Sequence, residues 1–111
     1  MKDSLNGLEF YYNWKDSNCF HKKKPLQLNV KVKNTNTYSV KLQFQVNYYQ
    51  SGIIIEQSDT INLCLNPNQS KNGSKNGLNF SAEHFTRDDI NKPSFTLEIH
   101  PIQIIKMRSC Q

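Results

Sequence analysis

The sequence has little arginine and no long apolar run, and each scarcity excludes a class of protein. Arg87 and Arg108 are the only arginines, so the net charge of +5 comes almost wholly from lysine. Proteins that read nucleic acids favour arginine, because its planar guanidinium group can contact a phosphate or a guanine at two points. No apolar run approaches the roughly 20 residues that cross a bilayer. We therefore expect neither a nucleic-acid partner nor a membrane span.

At 111 residues the chain has the size of one domain, which we place at residues 1–111. Its dominant pattern lies at residues 26–49, where apolar side chains alternate with polar ones. Such period-two alternation is typical of strands that bury one face and expose the other. The Asn-Thr-Asn-Thr stretch at residues 34–37 interrupts it with short side chains that can hydrogen-bond their own backbone. We predict two long antiparallel strands joined by a tight turn.

The rest of the chain repeats this pattern in shorter runs. Further strands are predicted at residues 8–14, 53–55, 61–65, 78–82 and 94–106. Pro101 changes the phase of the last run, which predicts a bulge or a crossing between sheets. Residues 66–77 contain a tandem Ser-Lys-Asn-Gly repeat and are expected to form an exposed loop. Thr86 and Asp89 have the spacing of a capping pair for one helical turn.

These elements amount to seven or eight strands with little helix, so we predict an all-β, two-sheet antiparallel sandwich. The core should consist of the inward side chains of the strands, since a shift of one residue would turn all of them to solvent. These side chains are Phe10, Tyr12, Trp14, Leu28, Val30, Val32, Leu42, Phe44, Val46, Ile61, Leu63, Leu65, Phe80, Phe95, Leu97 and Ile99.

A resemblance to known domains narrows the fold class. Val-Lys-Val-Lys-Asn-Thr-Asn at residues 30–36, followed by Val-Lys-Leu-Gln-Phe at residues 40–44, resembles the strand, turn and strand of many bacterial surface and accessory domains. Those domains are immunoglobulin-like or fibronectin-III-like sandwiches. The resemblance implies such a sandwich, and an exported or cell-surface setting rather than a cytoplasmic one. The chain departs from antibody domains because its only tryptophan, Trp14, lies on the first predicted strand, so no binding residue is carried over.

The outward side chains of the central strand pair are the candidate binding surface. Lys31, Lys33 and Lys41 lie at outward positions, and Tyr11 or Tyr49 could lie alongside them. A polar, basic platform of this kind suits a glycan or another anionic surface. The alternative interpretation is a solubilising sheet face whose lysines also discourage pairing between edges.

The three cysteines are too few and too scattered for a zinc site, and we predict neither a metal nor a cofactor. Cys64 is out of phase with its inward neighbours, so the polar segment that carries Cys19 could reach it. A Cys19–Cys64 disulfide is one interpretation, and isolated thiols are the other. Cys110 is expected to be free and exposed.

Residues 83–89 hold the densest group of ionisable side chains. A carboxylate beside His84, from Glu83, Asp88 or Asp89, could act as an acid, a base or a metal ligand. A solvated loop or helix face explains these residues equally well. We therefore predict a noncatalytic binding or structural module rather than an enzyme. The alternatives are a carbohydrate-binding module, or a small hydrolase or metal-dependent enzyme that uses this segment.

The predicted strand at residues 8–14 carries aromatic side chains on both faces, and we expect it at a sheet edge. An edge strand has unpaired backbone groups, to which a protein partner or a second copy can add a strand. Tyr11 would then supply contact area beside those groups. The alternative is that residues 15–24 fold back and cover the strand.

Overall fold

The computed structural model describes residues 2–16, 26–73 and 76–110. Within these ranges the chain forms nine strands and one helix of a single turn, so strand dominates the fold. The elements are β1 (Lys2–Leu5), β2 (Leu8–Asp16), β3 (Leu26–Asn34), β4 (Ser39–Gln50), β5 (Ile53–Gln57), β6 (Ile61–Leu65), β7 (Ser70–Asn72), β8 (Asn79–Ala82), α1 (Arg87–Ile90) and β9 (Phe95–Met107).

The strands form two antiparallel sheets that pack face to face. In sheet A the order is β1-β2-β3, and β7 and β8 both pair with the remaining edge of β3. In sheet B, β4 lies between β9 on one side and β5 and β6 on the other. Rings from the two sheets meet between them, as Phe10 and Phe44 do at 5.8 Å between centroids. The predicted all-β, two-sheet antiparallel sandwich is confirmed.

The structure contains two strands that the sequence pattern did not predict. β1 forms a hairpin with β2 through a turn at Asn6 and Gly7, both of which have positive φ. β7 lies within residues 66–77, which were expected to be a loop, and pairs with residues 31–33 of β3. Both strands are short and mostly polar, so they carry no apolar alternation. Backbone pairing with a longer neighbour is what holds them in the sheet.

Tyr11 does not lie at a sheet edge, which corrects the prediction for the first long strand. Its register partners are Lys2 of β1 on one side and Lys31 of β3 on the other. The backbone beside Tyr11 therefore already has neighbouring strands on both sides. Residues 17–24, most of the segment considered as an alternative cover, lie outside the described residues.

The two long strands β3 and β4 are not paired with each other, contrary to the prediction of a hairpin. β3 belongs to sheet A and β4 to sheet B, so residues 35–38 cross from one sheet to the other. The alternation of burial is as expected in both strands. Alternation cannot distinguish a hairpin from a crossing, because each leaves one apolar face per strand. The outward side chains of β3 and β4 consequently lie on opposite surfaces of the sandwich.

The side chain of Asn34 holds this crossing and is fully buried. Its amide nitrogen donates to the carbonyl oxygens of Tyr38 at 2.9 Å, Leu65 at 3.0 Å and Asn66 at 3.3 Å. Its amide oxygen accepts from the backbone N–H and the side-chain amide of Asn36, each at 3.0 Å. One side chain thus connects the end of β3 in sheet A with segments next to β4 and β6 in sheet B.

The turn between β1 and β2 packs on the same crossing. Thr35 donates to the carbonyl oxygen of Gly7 from its backbone N–H at 2.8 Å and from its hydroxyl at 2.6 Å. Asn36 donates from its side chain to the carbonyl oxygen of Asn6 at 3.0 Å. Gly7 has a φ of +77°, and a Cβ at this position would collide with the side chain of Asn36. Glycine is therefore required at residue 7.

The core consists of the expected inward side chains and some additional ones. The predicted core residues of β3 and β4 are at most 1% exposed: Leu28, Val30, Val32, Leu42, Phe44 and Val46. Phe10 of β2 is also 1% exposed, whereas the other predicted core residues of β2 and β9 are partly buried and pack against the rest: Tyr12, Trp14, Phe95, Leu97 and Ile99. Phe85 was not predicted, because its segment lacks period-two alternation. Its ring lies 5.0 Å from that of Phe95 and 6.0 Å from that of Tyr48.

Two local predictions are confirmed. Thr86 and Asp89 form a capping box, in which each side chain accepts a hydrogen bond from the backbone N–H of the other residue, at the start of α1. The phase change near Pro101 is a bulge, since the register of β9 against β4 shifts between Gln43 and Phe44 while β9 stays in sheet B. No helix in the described ranges is long and apolar enough to cross a membrane.

Cys64 forms a disulfide with Cys110, and this corrects two predictions. Cys110 is not free, and Cys64 is not available to Cys19, which lies outside the described residues. The pairing follows from sheet B, where β9 and β6 flank β4 on opposite sides. The chain after β9 crosses the start of β4 and brings the Cys110 Cα to 5.6 Å from that of Cys64. The bond therefore joins β6 to the segment that follows β9, although β6 and β9 do not pair with each other.

We predict that Asn34→Ala lowers the free energy of unfolding by about 2–4 kcal/mol, because three carbonyl groups, one of them buried at Leu65, lose the donor that Asn34 supplies. Urea denaturation monitored by tryptophan fluorescence measures this change. The matched control is Asn62→Ala, which removes an exposed asparagine of β6 and should change stability by less than about 0.5 kcal/mol. Equal effects of the two substitutions would contradict the role assigned to Asn34.

The Cys64–Cys110 bond closes a sequence separation of 46 residues. Because it restricts the unfolded chain, Cys110→Ser should lower the free energy of unfolding by about 2–4 kcal/mol. Cys19→Ser is the control and should retain the disulfide, as seen by peptide mapping without reductant. Loss of the disulfide in Cys19→Ser, or recovery of a Cys19–Cys64 peptide from the wild type, would overturn the assignment.

Candidate functional site

A hollow on the outer face of sheet A is the candidate site, and we call it the Tyr11 hollow. Its volume is about 630 Å³, which is in the range of pockets that hold small ligands. Outward aromatic, amide and lysine side chains line it, namely Tyr11, Asn13, Lys15, Gln27, Asn29, Lys31, Asn72 and Asn79. The hollow lies on paired strands, so the backbone fixes the positions of these side chains.

The strand register arranges the lining side chains in rows that run across the sheet. Residues two apart on a strand share a face, and register partners lie side by side on neighbouring strands. Three strands therefore contribute one residue each to a row. The first row is Tyr11, Lys31 and Asn72, the second is Asn13, Asn29 and Asn79, and the third contains Lys15 and Gln27. We call the second of these the asparagine row.

The first row combines an aromatic ring with a positive charge. The Nζ atom of Lys31 lies 5.6 Å from the centroid of the Tyr11 ring, within the range of a cation–π contact. The Tyr11 hydroxyl donates to Glu9 Oε1 at 3.0 Å, which restrains the ring. Among the described residues that line the hollow there are two lysines and no carboxylate. Glu9, which accepts from Tyr11, adds one negative charge beside the hollow, so the two lysines leave a net positive charge that favours an anion.

The structure divides the predicted binding residues between two surfaces. Tyr11, Lys31 and Lys33 lie on the outer face of sheet A, where Lys33 is the register partner of Glu9. Lys41 and Tyr49 lie on β4 and point outward from sheet B. The single platform predicted from the sequence does not exist, because β3 and β4 belong to different sheets. Tyr11 and Lys31 are the two predicted residues that meet in the hollow.

Tyr49 takes part in a hydrogen-bonded group on sheet B. Its hydroxyl donates to Glu98 Oε1 at 2.7 Å, and the side-chain amide of Asn47 donates to the same oxygen at 3.1 Å. These donors, Tyr49 first, hold the pKa of Glu98 below its ordinary value. The same hydrogen bond to Glu98 raises the pKa of the Tyr49 hydroxyl. The group stabilises an ionised Glu98 beside a neutral Tyr49.

The ionisable residues at 83–89 do not converge on one another in the way the enzyme hypothesis requires. His84 Nδ1 lies 2.9 Å from Glu56 Oε1 of β5, whereas Asp89 is hydrogen-bonded to Thr86 and Lys92. Hydrogen bonds from Thr86, with Lys92 second, lower the pKa of Asp89. A capping role therefore accounts for Asp89. In the described ranges no three His, Cys, Asp or Glu side chains form a group that could hold a metal ion.

Sequence reasoning missed the hollow because its rows draw on four separate segments. The period-two pattern of residues 8–14 does place Asn13 on the face of Tyr11, and it could have indicated this part of the hollow. Asn72 and Asn79 had no such signal, since their places depend on the register of β7 and β8 against β3. Gln27 and Asn29 were expected to face outward, but beside β4 rather than β2.

Comparison with known proteins adds no relative from which a role could be transferred. No protein-family model matches the sequence, no curated protein is significantly similar to it, and no solved structure matches its fold significantly. Functional inference therefore rests on the side chains themselves.

The Tyr49–Glu98 hydrogen bond predicts a pH dependence of stability. The lowered pKa of Glu98 gives stability that is present above about pH 4.3, its ordinary value, and is lost as the pH falls through the folded pKa. The raised pKa of Tyr49 gives stability that is present below about pH 10 and is lost as the pH rises further. The difference in unfolding free energy between wild type and Tyr49→Phe should thus be greatest between these limits.

Urea denaturation at a series of pH values measures this difference. Glu98→Gln is the matched variant, because its amide can still accept from Tyr49 but cannot titrate as an acid. The difference in unfolding free energy between Glu98→Gln and wild type should also become smaller as the pH falls. A difference between wild type and Tyr49→Phe that stays constant from acid to neutral pH would contradict the assignment.

Proposed function

We propose that this chain is a noncatalytic binding domain of immunoglobulin-like type that holds its ligand in the Tyr11 hollow. The observation that carries the proposal is the hollow itself, in which an aromatic ring, lysines and several amides converge on one sheet face. Pockets for ligands combine an apolar surface with a few placed polar groups. Side chains carried on paired strands are also held more accurately than those on loops.

The strand connections support the immunoglobulin-like part of the proposal. In that fold strands A, B and E form part of one sheet, strands C and F pair in the other, and C′ can lie beside C. Here β2, β3 and β8 occupy the positions of A, B and E. β4 and β9 occupy those of C and F, and β5 and β6 lie on the C′ side of β4.

A comparison of the two outer faces favours sheet A as the binding surface. On sheet B the outward polar side chains hydrogen-bond to one another, for example Gln43 to Asn62 at 2.6 Å and Gln57 to Gln45 at 3.2 Å. These pairs leave less hydrogen-bonding capacity for a ligand. On sheet A the outward amides surround a hollow instead. The alternative, a solubilising face, does not account for a concave surface lined by an aromatic ring.

The Cys64–Cys110 disulfide supports an exported or cell-surface setting. Disulfides persist in oxidising compartments and are reduced in most cytosols. A binding domain with this bond would therefore act outside the cytoplasm.

The proposed function is tested by NMR with a library of small soluble fragments and the ¹⁵N-labelled protein. Fragments that bind should shift the backbone amide signals of the rows around Tyr11 and Lys31. Tyr11→Ala should weaken these fragments about fivefold, because loss of an aromatic contact costs on the order of 1 kcal/mol. Lys41→Ala, on the opposite outer face, is the control and should leave them unchanged. Fragment shifts confined to sheet B, or scattered over the surface, would refute the proposal.

A further inference from the structure

We propose that the ligand of the Tyr11 hollow is an acidic saccharide, that is, a sugar chain that carries carboxylate or sulfate groups. This inference rests on the proposed function and specifies its ligand class. Three features of the hollow support it: the amides of the asparagine row, the restrained ring of Tyr11, and the two lysines on either side of that row.

The asparagine row suits sugar hydroxyl groups. An asparagine amide donates and accepts hydrogen bonds at once, and so does a hydroxyl. Asn13, Asn29 and Asn79 lie side by side on three neighbouring strands. Because neighbouring strands are about 4.8 Å apart, the row extends about 10 Å across the sheet. It can therefore contact several hydroxyl groups along an extended sugar chain.

The Tyr11 ring provides an apolar surface next to this row. One face of a pyranose ring carries mainly C–H groups, which pack against aromatic rings. The hydrogen bond from the Tyr11 hydroxyl to Glu9 at 3.0 Å and the neighbouring Lys31 restrain the ring. A restrained ring loses little conformational entropy when a ligand packs on it.

The lysines specify the charge of the saccharide. Lys31 lies in the row on one side of the asparagine row, and Lys15 lies in the row on the other side. A ligand that lies along the asparagine row would have an ammonium group on each flank. Since two lysines and no carboxylate are among the described lining residues, the hollow favours an anionic chain over a neutral one.

The same chemistry fits a saccharide better than a single-stranded nucleic acid. Nucleic-acid channels stack successive bases on several rings, whereas Tyr11 is the outward ring of the described lining. Tyr12, the other lining aromatic, is the register partner of buried Val30 and packs against the core. The arginines that usually contact phosphates lie elsewhere, Arg87 on α1 and Arg108 after β9.

Isothermal titration and NMR with four probes test the inference. The probes are trigalacturonic acid, its neutral counterpart α-1,4-galactotriose, a sulfated heparin tetrasaccharide, and oligothymidylate. One of the two acidic saccharides should bind at least about fivefold more tightly than the neutral one, which is the effect of one exposed ion pair. Whichever binds identifies carboxylate or sulfate as the anionic group. Added salt should weaken it.

Matched variants separate charge from hydrogen bonding. Lys15→Ala, which removes a flanking charge and leaves the Lys31–Tyr11 contact in place, should reduce binding of the acidic saccharide about fivefold and leave the neutral one unchanged. Asn29→Ala should weaken both saccharides, and Lys41→Ala should weaken neither. These outward substitutions should not alter the urea denaturation curve, which checks that each variant is folded.

The outcomes distinguish this inference from the proposed function. Equal binding of acidic and neutral saccharides, or tighter binding of oligothymidylate than of any saccharide, would overturn the inference. If none of the four probes binds while fragments still occupy the hollow, the acidic saccharide is wrong and the proposed function stands. If fragments also avoid the hollow, both are wrong.

Discussion

The crossing between β3 and β4 is the constraint on which the rest of this structure depends. Residues 35–38 themselves are exposed or half-buried, but Asn34 at their start is buried and donates to the carbonyl oxygens of Tyr38, Leu65 and Asn66, which would otherwise lose a hydrogen-bond partner. The same side chain joins segments of both sheets. The crossing also holds the turn before β2, because Thr35 donates two hydrogen bonds to the carbonyl oxygen of Gly7. One buried amide thus sets how the two sheets meet.

This crossing also decides what each outer surface can do. Because β3 and β4 lie in different sheets, the lysines of β3 join the side chains of β2, β7 and β8, and those of β4 lie on the other side of the molecule. On sheet B, outward polar side chains hydrogen-bond to one another, as Gln43 does to Asn62 and Tyr49 to Glu98. The disulfide lies at one end of this sheet. Sheet A places an aromatic ring and a row of amides around a hollow. The two faces therefore differ in character although their sequences look alike.

The fold was largely accessible from the sequence, and the candidate site only in part. Alternation in β3 and β4 identified buried side chains such as Val32 and Phe44, since a slip by one residue would expose every one of them. Tyr11 and Lys31 were identified as outward-facing, but their contact with each other depends on the pairing of β2 with β3. Cys64 was given the wrong partner because the route of the chain after β9 depends on the register of three strands.

The sequence by itself determined where the strands with apolar alternation lie, which face of the long strands β3 and β4 is buried, and where the helical turn begins. These are local properties, because the period of side chains and the chemistry of a cap act within a few residues. Only the tertiary structure decided that β3 and β4 separate, that polar β7 pairs with β3, and that Asn13, Asn29 and Asn79 form one row. Pairing between distant strands is set by backbone hydrogen bonds, which every residue but proline can donate, so no side-chain pattern records which strand pairs with which.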